Sequence, residues 1–503
     1  MSIECSAWGM AEPTRMSVTD TSIRNASLWV LVVGQVIAVL TGVAAAAYGN
    51  SFLTILLVIV AAALTLLAWR RRDKSLGAPS SVPANLLLIA LPTALAGSSV
   101  SLVLGVAGCA FVGAVAILLW PQHPKITLTW LCAILPAIAL MIVLRPNFPG
   151  TVYNGLFVII GCAVVALAVM LSESKTAAMV SLVDGVGVFT VASLLLWLVG
   201  FAGKAADRTV GLENSLTGGE RVIFPLSTSL AATPAMAAVF IAAVVPIIIV
   251  CPRHRLMRLA AVPCAVLILV LSDSRVSMVG AAVLCSSVLL APRPFRLAAP
   301  WIVAAAAATP FVYGYIQAAV TAGSTWAPWL MRTDEQAGTL ARRDYIWTQS
   351  LDFYGTRVDW FHQAFGFGSF GHVASGASGY YYVHFEGLGS DARLVTPHNT
   401  TLQILFDGGL TAAAALAGTM VFLAWKMSRN PSPIYLAGLS MLVALSIVSA
   451  TEVALSPSHA HAQPTWWVLV ILGMIMFSQE KTSEEAERQS SSVAESHSNP
   501  LHR

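Results

Sequence analysis

Leu230–Val250 reads LAATPAMAAVFIAAVVPIIIV, twenty-one residues without a single charge. A helix needs about 20 apolar residues to cross a bilayer's hydrocarbon core. Working outward on that ruler, further runs fall at 28–48, 51–69, 84–98, 100–119, 126–144, 155–171, 184–202, 259–272, 275–291, 298–316, 399–425, 433–450 and 465–477. The expected fold is therefore all-α: a polytopic transmembrane helical bundle of about 12–14 helices, the spread reflecting short runs and a break placed at Gly97-Ser-Ser99. Composition agrees. Of 503 residues, 57% are hydrophobic and 10% charged, against about 25% charged in soluble domains. The net charge of +4 gives no sign of nucleic acid as a partner.

Basic residues orient the chain, because cytoplasmic loops carry the excess of Lys and Arg. With the N-terminus inside, the inner loops hold Arg70, Arg71, Arg72, Lys74, Lys125, Lys175, Arg253, Arg255, Arg258, Arg293, Arg296, Lys426 and Arg429. The short outer loops hold Arg145 and Arg275. The expectation is a multi-pass protein of the cell (plasma or inner) membrane with both termini cytoplasmic. Its divisions are a tail at 1–27, N-terminal spans at 28–202, a membrane domain at 203–477 with a long extracytoplasmic loop at 317–397 containing short helices, and a disordered cytoplasmic tail at 478–503. The polar N-terminus lacks an evident small-residue cleavage site, so the first span reads as retained.

Six of the seven cysteines lie in or beside apolar runs without metal-ligand spacing, which suits small hydrophobes packed between helices. Ser458-His-Ala-His461 offers two imidazoles, but no carboxylate or Cys stands at ligand spacing.

Charges in membrane-spanning sequence are expensive and are normally paired or functional. Leu269-Val-Leu-Ser-Asp-Ser-Arg-Val-Ser-Met-Val-Gly280 places Asp273 and Arg275 inside an apolar block. They either pair to cap a tight outer turn, or Arg275 points into an outward cavity and meets an anion. Arg221 falls where an outer loop re-enters the membrane, either meeting lipid phosphate or facing the same cavity. In the long loop, Leu340, Ile346, Trp347 and Leu351 approximate helical spacing. Arg342 and Arg343 differ by about 100° around that helix, so one of them at most faces a given partner.

Gly366-Phe-Gly-Ser-Phe-Gly371 spells a dinucleotide fingerprint but follows no strand and opens no βαβ unit, so it reads as a Gly/aromatic turn. Thr396-Pro-His-Asn-Thr-Thr-Leu-Gln403 sets His398 and Asn399 at the mouth of an apolar helix. Histidine there can exchange a proton near neutral pH, or serve as a polar cap. Asp407 lies nine residues on, about half a turn out of phase with His398.

In this order the segments resemble the O-antigen ligase and O-antigen polymerase superfamily, which includes O-linked oligosaccharyltransferases. The resemblance covers roughly 215–455. Pro397-His-Asn-Thr-Thr-Leu-Gln403 looks like the family's His-Asn-x-x-Leu helix start, and Arg343-Asp-Tyr-Ile-Trp347 like its Arg-x-x-x-Trp loop helix. Gly366-Phe-Gly-Ser-Phe370 resembles the Gly-rich stretch that follows, and Ser274-Arg275 a helix opening. Two departures stand out: Asp407 occupies a position where the family usually has Glu, and no Asn-Pro-Asn element follows Arg221.

The resemblance implies a metal-independent membrane glycosyltransferase without cofactors. It would take a glycan from a polyprenyl-diphosphate donor to a glycan, lipid or protein acceptor at the outer face. His398, Arg275 and Arg343 would be catalytic, while Arg221, Arg342 and Asn399 would bind substrate. These motifs do not separate ligase from polymerase. A transporter or flippase of a lipid-linked or anionic substrate is the alternative, and the lack of a visible internal repeat weakens it.

Overall fold

The computed structural model describes residues 85–118, 126–148, 151–200, 214, 216–227, 230–251, 254–313, 343–382 and 395–480. The expected spans at 28–48 and 51–69, both terminal tails except for residues 478–480, Arg342 and the loop stretches 317–342 and 383–394 lie outside them.

The other twelve expected runs form helices. In chain order they are α1 (Asn85–Val100), α2 (Leu102–Leu118), α3 (Ile134–Val143), α4 (Val152–Met170), α5 (Lys175–Leu198), α6 (Ala232–Val250), α7 (Arg255–Ser272), α8 (Arg275–Leu290) and α9 (Pro292–Ala308). Four short helices follow in the long loop: α10 (Arg343–Arg357), α11 (Trp360–Phe365), α12 (Gly371–Ala374) and α13 (Ala377–Tyr382). Then come α14 (Thr400–Ser428), α15 (Pro433–Ser449) and α16 (Gln463–Phe477). Among the described residues the only sheet is a two-residue antiparallel pair, β1 (Ile126–Thr127) with β2 (Gln479–Glu480).

Among the described residues six helices, at 153–170, 175–198, 232–249, 255–272, 400–428 and 460–477, are long and apolar enough to cross a membrane. Shorter apolar helices fill in around them, and the fold is an all-α polytopic bundle. Its centre is α16, buried along its whole length among α1, α4, α5 and α6. Large apolar side chains such as Leu256, Leu290, Leu297 and Trp301 stay uncovered on the perimeter, as lipid contact requires.

Several boundaries differ from the spacing, and two of them have a visible cause. The break between α1 and α2 falls at Ser101, where the helices fold back so closely that Gly105 lies against Ser98 and Gly108 against Ala94. Helix α5 begins at Lys175 rather than 184, with Ser174 accepting from the Ala177 backbone N–H at 3.1 Å as its N-cap. Asp184 therefore lies inside the helix, where Arg258 holds it through two bonds of 2.7 and 2.9 Å.

Helix α14 is interrupted at Gly409, whose φ of 69° and ψ of −172° are not helical. Such a break strips carbonyls of their i+4 donors. Backbone N–H groups of the loop replace them, Phe367 donating to Phe406 O and Gly368 to Asp407 O, each at 2.8 Å. Gly366, Gly371 and Gly409 lie so close to the opposing backbone that a Cβ on any of them would overlap it. The Gly-rich sequence is thus a turn, as its context indicated, and its glycines admit a second backbone against the broken helix.

Candidate active site

The site begins where α14 starts. Asn399 is its N-cap, its Oδ1 accepting from the Leu402 backbone N–H at 3.0 Å while its Nδ2 donates to Ala450 O at 2.9 Å. Both ends of that buried amide take part in fixing the helix mouth. His398, one residue earlier and in the left-handed region at φ 47°, is not the cap. Its imidazole Nδ1 lies 3.2 Å from Glu452 Oε2, and the side chain is 39% exposed.

Glu452 follows α15 and is tied to the same helix start. Thr400 Oγ1 donates to Glu452 O at 3.1 Å and accepts from the backbone N–H groups of Ala454 and Leu455 at 3.0 and 3.2 Å. Its other carboxylate oxygen, Oε1, pairs with Arg343 Nη2. Arg343 and Trp347 stand one turn apart and so share a face of α10. While Arg343 reaches Glu452, buried Trp347 donates its indole N–H to Pro397 O at 3.0 Å. The Arg-x-x-x-Trp spacing is therefore the geometry by which a loop helix closes over His398.

Burial works against the Glu452 charge. The Arg343 charge, the His398 hydrogen bond and the charges of His398 and His461 outweigh it and hold the carboxyl down at about 2. It is ionised throughout the neutral range.

Arg221 and Arg275 form a second group around the turn between α7 and α8. Arg221 donates Nε to Ser272 O at 2.9 Å and Nη2 to Asp273 O at 3.4 Å, placing a cation on the electronegative end of α7. Arg275 Nε stands 3.5 Å from Asp273 Oδ1, and Asp273 is buried at φ 48°. The outer-turn pair read as one alternative is therefore present, though at a long separation, and the Arg275 side chain keeps 17% exposure.

The two groups stand at the same end of the bundle. Helices α8 and α15 pack together with Gly280 against Ile447. Five residues along each, in opposite chain directions, lie Arg275 and Glu452.

Asp407 faces elsewhere, as its phase required. It is fully buried, accepting from the Gly371 backbone N–H and Gln403 Nε2 at 2.7 Å each and from Ser458 Oγ at 2.6 Å. His459 Nδ1 lies 3.0 Å from both Ser456 and Ser458 Oγ, and His372 Nδ1 lies 3.1 Å from Gln403 Nε2. Burial, then the nearby His461 charge, pushes His372 down to about 3, and the same two causes together with His372 lower His459. His459 is thus a member of a buried polar network. Among the described residues, no three His, Cys, Asp or Glu side chains gather as metal ligands.

Sequence reasoning missed Glu452 as a site residue. It stands in a short loop between two apolar runs, and a carboxylate complementary in charge to the loop arginines was the available signal.

No curated protein matches the chain. The family model described as O-Antigen ligase matches residues 259–417, from α7 well into α14 and across Arg275, Arg343 and His398; Arg221 and Glu452 fall outside it. Over that segment the chain is similar to the O-antigen ligase family.

Proposed function

We propose that this protein transfers or polymerises a glycan, taking it from a polyprenyl-diphosphate donor to an acceptor hydroxyl at the outer face of the cell membrane. One observation carries the reading: Glu452 is shared between His398 at the mouth of α14 and Arg343 on the overlying helix. An imidazole whose Nδ1 faces a carboxylate presents Nε2 as a base, the arrangement general-base catalysis needs. The acceptor oxygen attacks the anomeric carbon, its proton passes to His398 Nε2, and the bond from carbon to phosphate oxygen breaks with its electron pair on the departing diphosphate. Arg275 and Arg221 stand at the same end, and guanidinium groups suit a diphosphate leaving group. In this scheme the arginines supply the positive charge and no step is routed through a metal. Arg342 joins them as a substrate-binding candidate on sequence alone.

The test replaces His398 or Arg275 by Ala, with membrane levels confirmed, and follows surface glycan and lipid-linked intermediates. Loss of glycan with donor accumulating at the outer leaflet is expected. Wild-type product from both variants sinks the assignment, and donor retained in the inner leaflet favours a transporter.

A further inference from the structure

Helix α11 carries Trp360, Phe361, Ala364 and Phe365 on one arc of about 140°, with His362 and Gln363 opposite. It is firmly placed. Ala364 abuts the Gly409 backbone at the break in α14, Arg145 Nη1 donates to Phe365 O at 2.8 Å, and Gln363 Nε2 donates to Tyr354 O and Val358 O at 3.0 Å each. Yet three large aromatic side chains remain uncovered, Trp360 at 77% exposure and Phe361 and Phe365 at 45% and 40%. Isolated exposed apolar residues are ordinary, but three together on one short fixed helix form a patch that wants a partner.

The neighbours of the patch identify that partner. The exposed stripe of α14 runs Leu410, Ala414, Gly418, Phe422 and Trp425, the spacing of a lipid-facing helix side. It begins at the residue after Gly409, against which α11 is packed. On the other flank Arg145 lies just past the end of α3, where Leu144 and Phe148 are uncovered, and α4 adds Tyr153 and Leu156. The α11 aromatics thus continue the rim at which the perimeter faces of three helices end.

From this continuity we infer that α11 is a membrane-surface foot, whose Trp360, Phe361 and Phe365 lie in the headgroup–acyl boundary of the leaflet on the loop side. Aromatic rings favour that depth, their apolar body in the acyl region and any polar edge in the headgroups. The foot ties the loop to the bilayer at one end while Arg343, on the adjoining α10, lies over Glu452. The inference rests on the membrane fold and stands whatever the bundle catalyses.

The test uses the full chain in phosphatidylcholine nanodiscs. Subtracting the emission of a Trp360→Phe variant from that of the wild type isolates Trp360, and the substitution keeps an apolar ring. Lipids brominated close to the headgroup are expected to quench this component roughly twofold, lipids brominated near the chain end much less, and aqueous iodide hardly at all. Quenching by iodide with none by brominated lipid overturns the proposal. So does protection from iodide by added soluble oligosaccharide, which marks Trp360 as a sugar-stacking platform.

Discussion

The residue that organises the site is Glu452, because one carboxylate orients His398 and restrains Arg343. Glu452→Gln removes the charge while nearly keeping the shape. Groups that orient a catalytic side chain typically account for about 10–100-fold in activity. A loss of that size in glycan transfer is therefore expected with membrane levels unchanged, and a fully active variant would separate Glu452 from the chemistry. With its carboxyl held at about 2, Glu452 stays charged through the whole useful assay range. His398 and Arg343 were legible because their spacing to Asn399 and Trp347 is local. Glu452 was not, since it joins them only when residues more than fifty positions apart are folded together. Asn399 was legible as a polar residue at a helix mouth, but its part as the cap needed the bonds to Leu402 and Ala450.

At the scale of elements, apolar runs located the helices because a span is a local property of composition. They erred where tertiary pairing rewrote the local rule. Asp184 looked like a boundary for α5 and lies within it, since Arg258 on another helix neutralises it. The pairing of Gly366–Gly371 with the α14 break was equally invisible, because only the fold brings the two backbones together. That contact makes a sharp comparison. Gly371→Ala drives a Cβ into the Phe406 backbone, whereas Gly418 faces open space. Overpacking typically costs about 1–3 kcal/mol, so Gly371→Ala should lower the unfolding free energy in detergent by about that much and Gly418→Ala should leave it within about 0.5 kcal/mol. Equal behaviour of the two variants would show that Gly371 is not in close contact with the Phe406 backbone.

At the scale of the molecule, buried imidazoles give the fold a pH dependence. His372 is pushed down to about 3 and His459 is also lowered, while unfolded histidines titrate near 6.5. Between those values the unfolded chain binds more protons, so stability falls as pH drops. The contribution is complete above about pH 6.5 and declines toward pH 3. Thermal midpoints of the protein in nanodiscs should fall from pH 7 to 4.5, and His372→Gln should flatten that slope. An unchanged slope would show that His372 is not held neutral. The whole architecture also gathers the loop helices, the start of α14 and the α7–α8 turn at one end of the bundle, which a single transfer site requires.

In the proposed transfer His398, facing Glu452, takes the acceptor's proton. Purified full-length protein in nanodiscs, given a polyprenyl-diphosphate-linked glycan and a hydroxyl acceptor, tests it through the rate of polyprenyl diphosphate release. His398→Ala is expected to slow release by about 10²–10⁴-fold, the usual worth of a positioned base. Release at the wild-type rate by that variant, correctly folded, would contradict it.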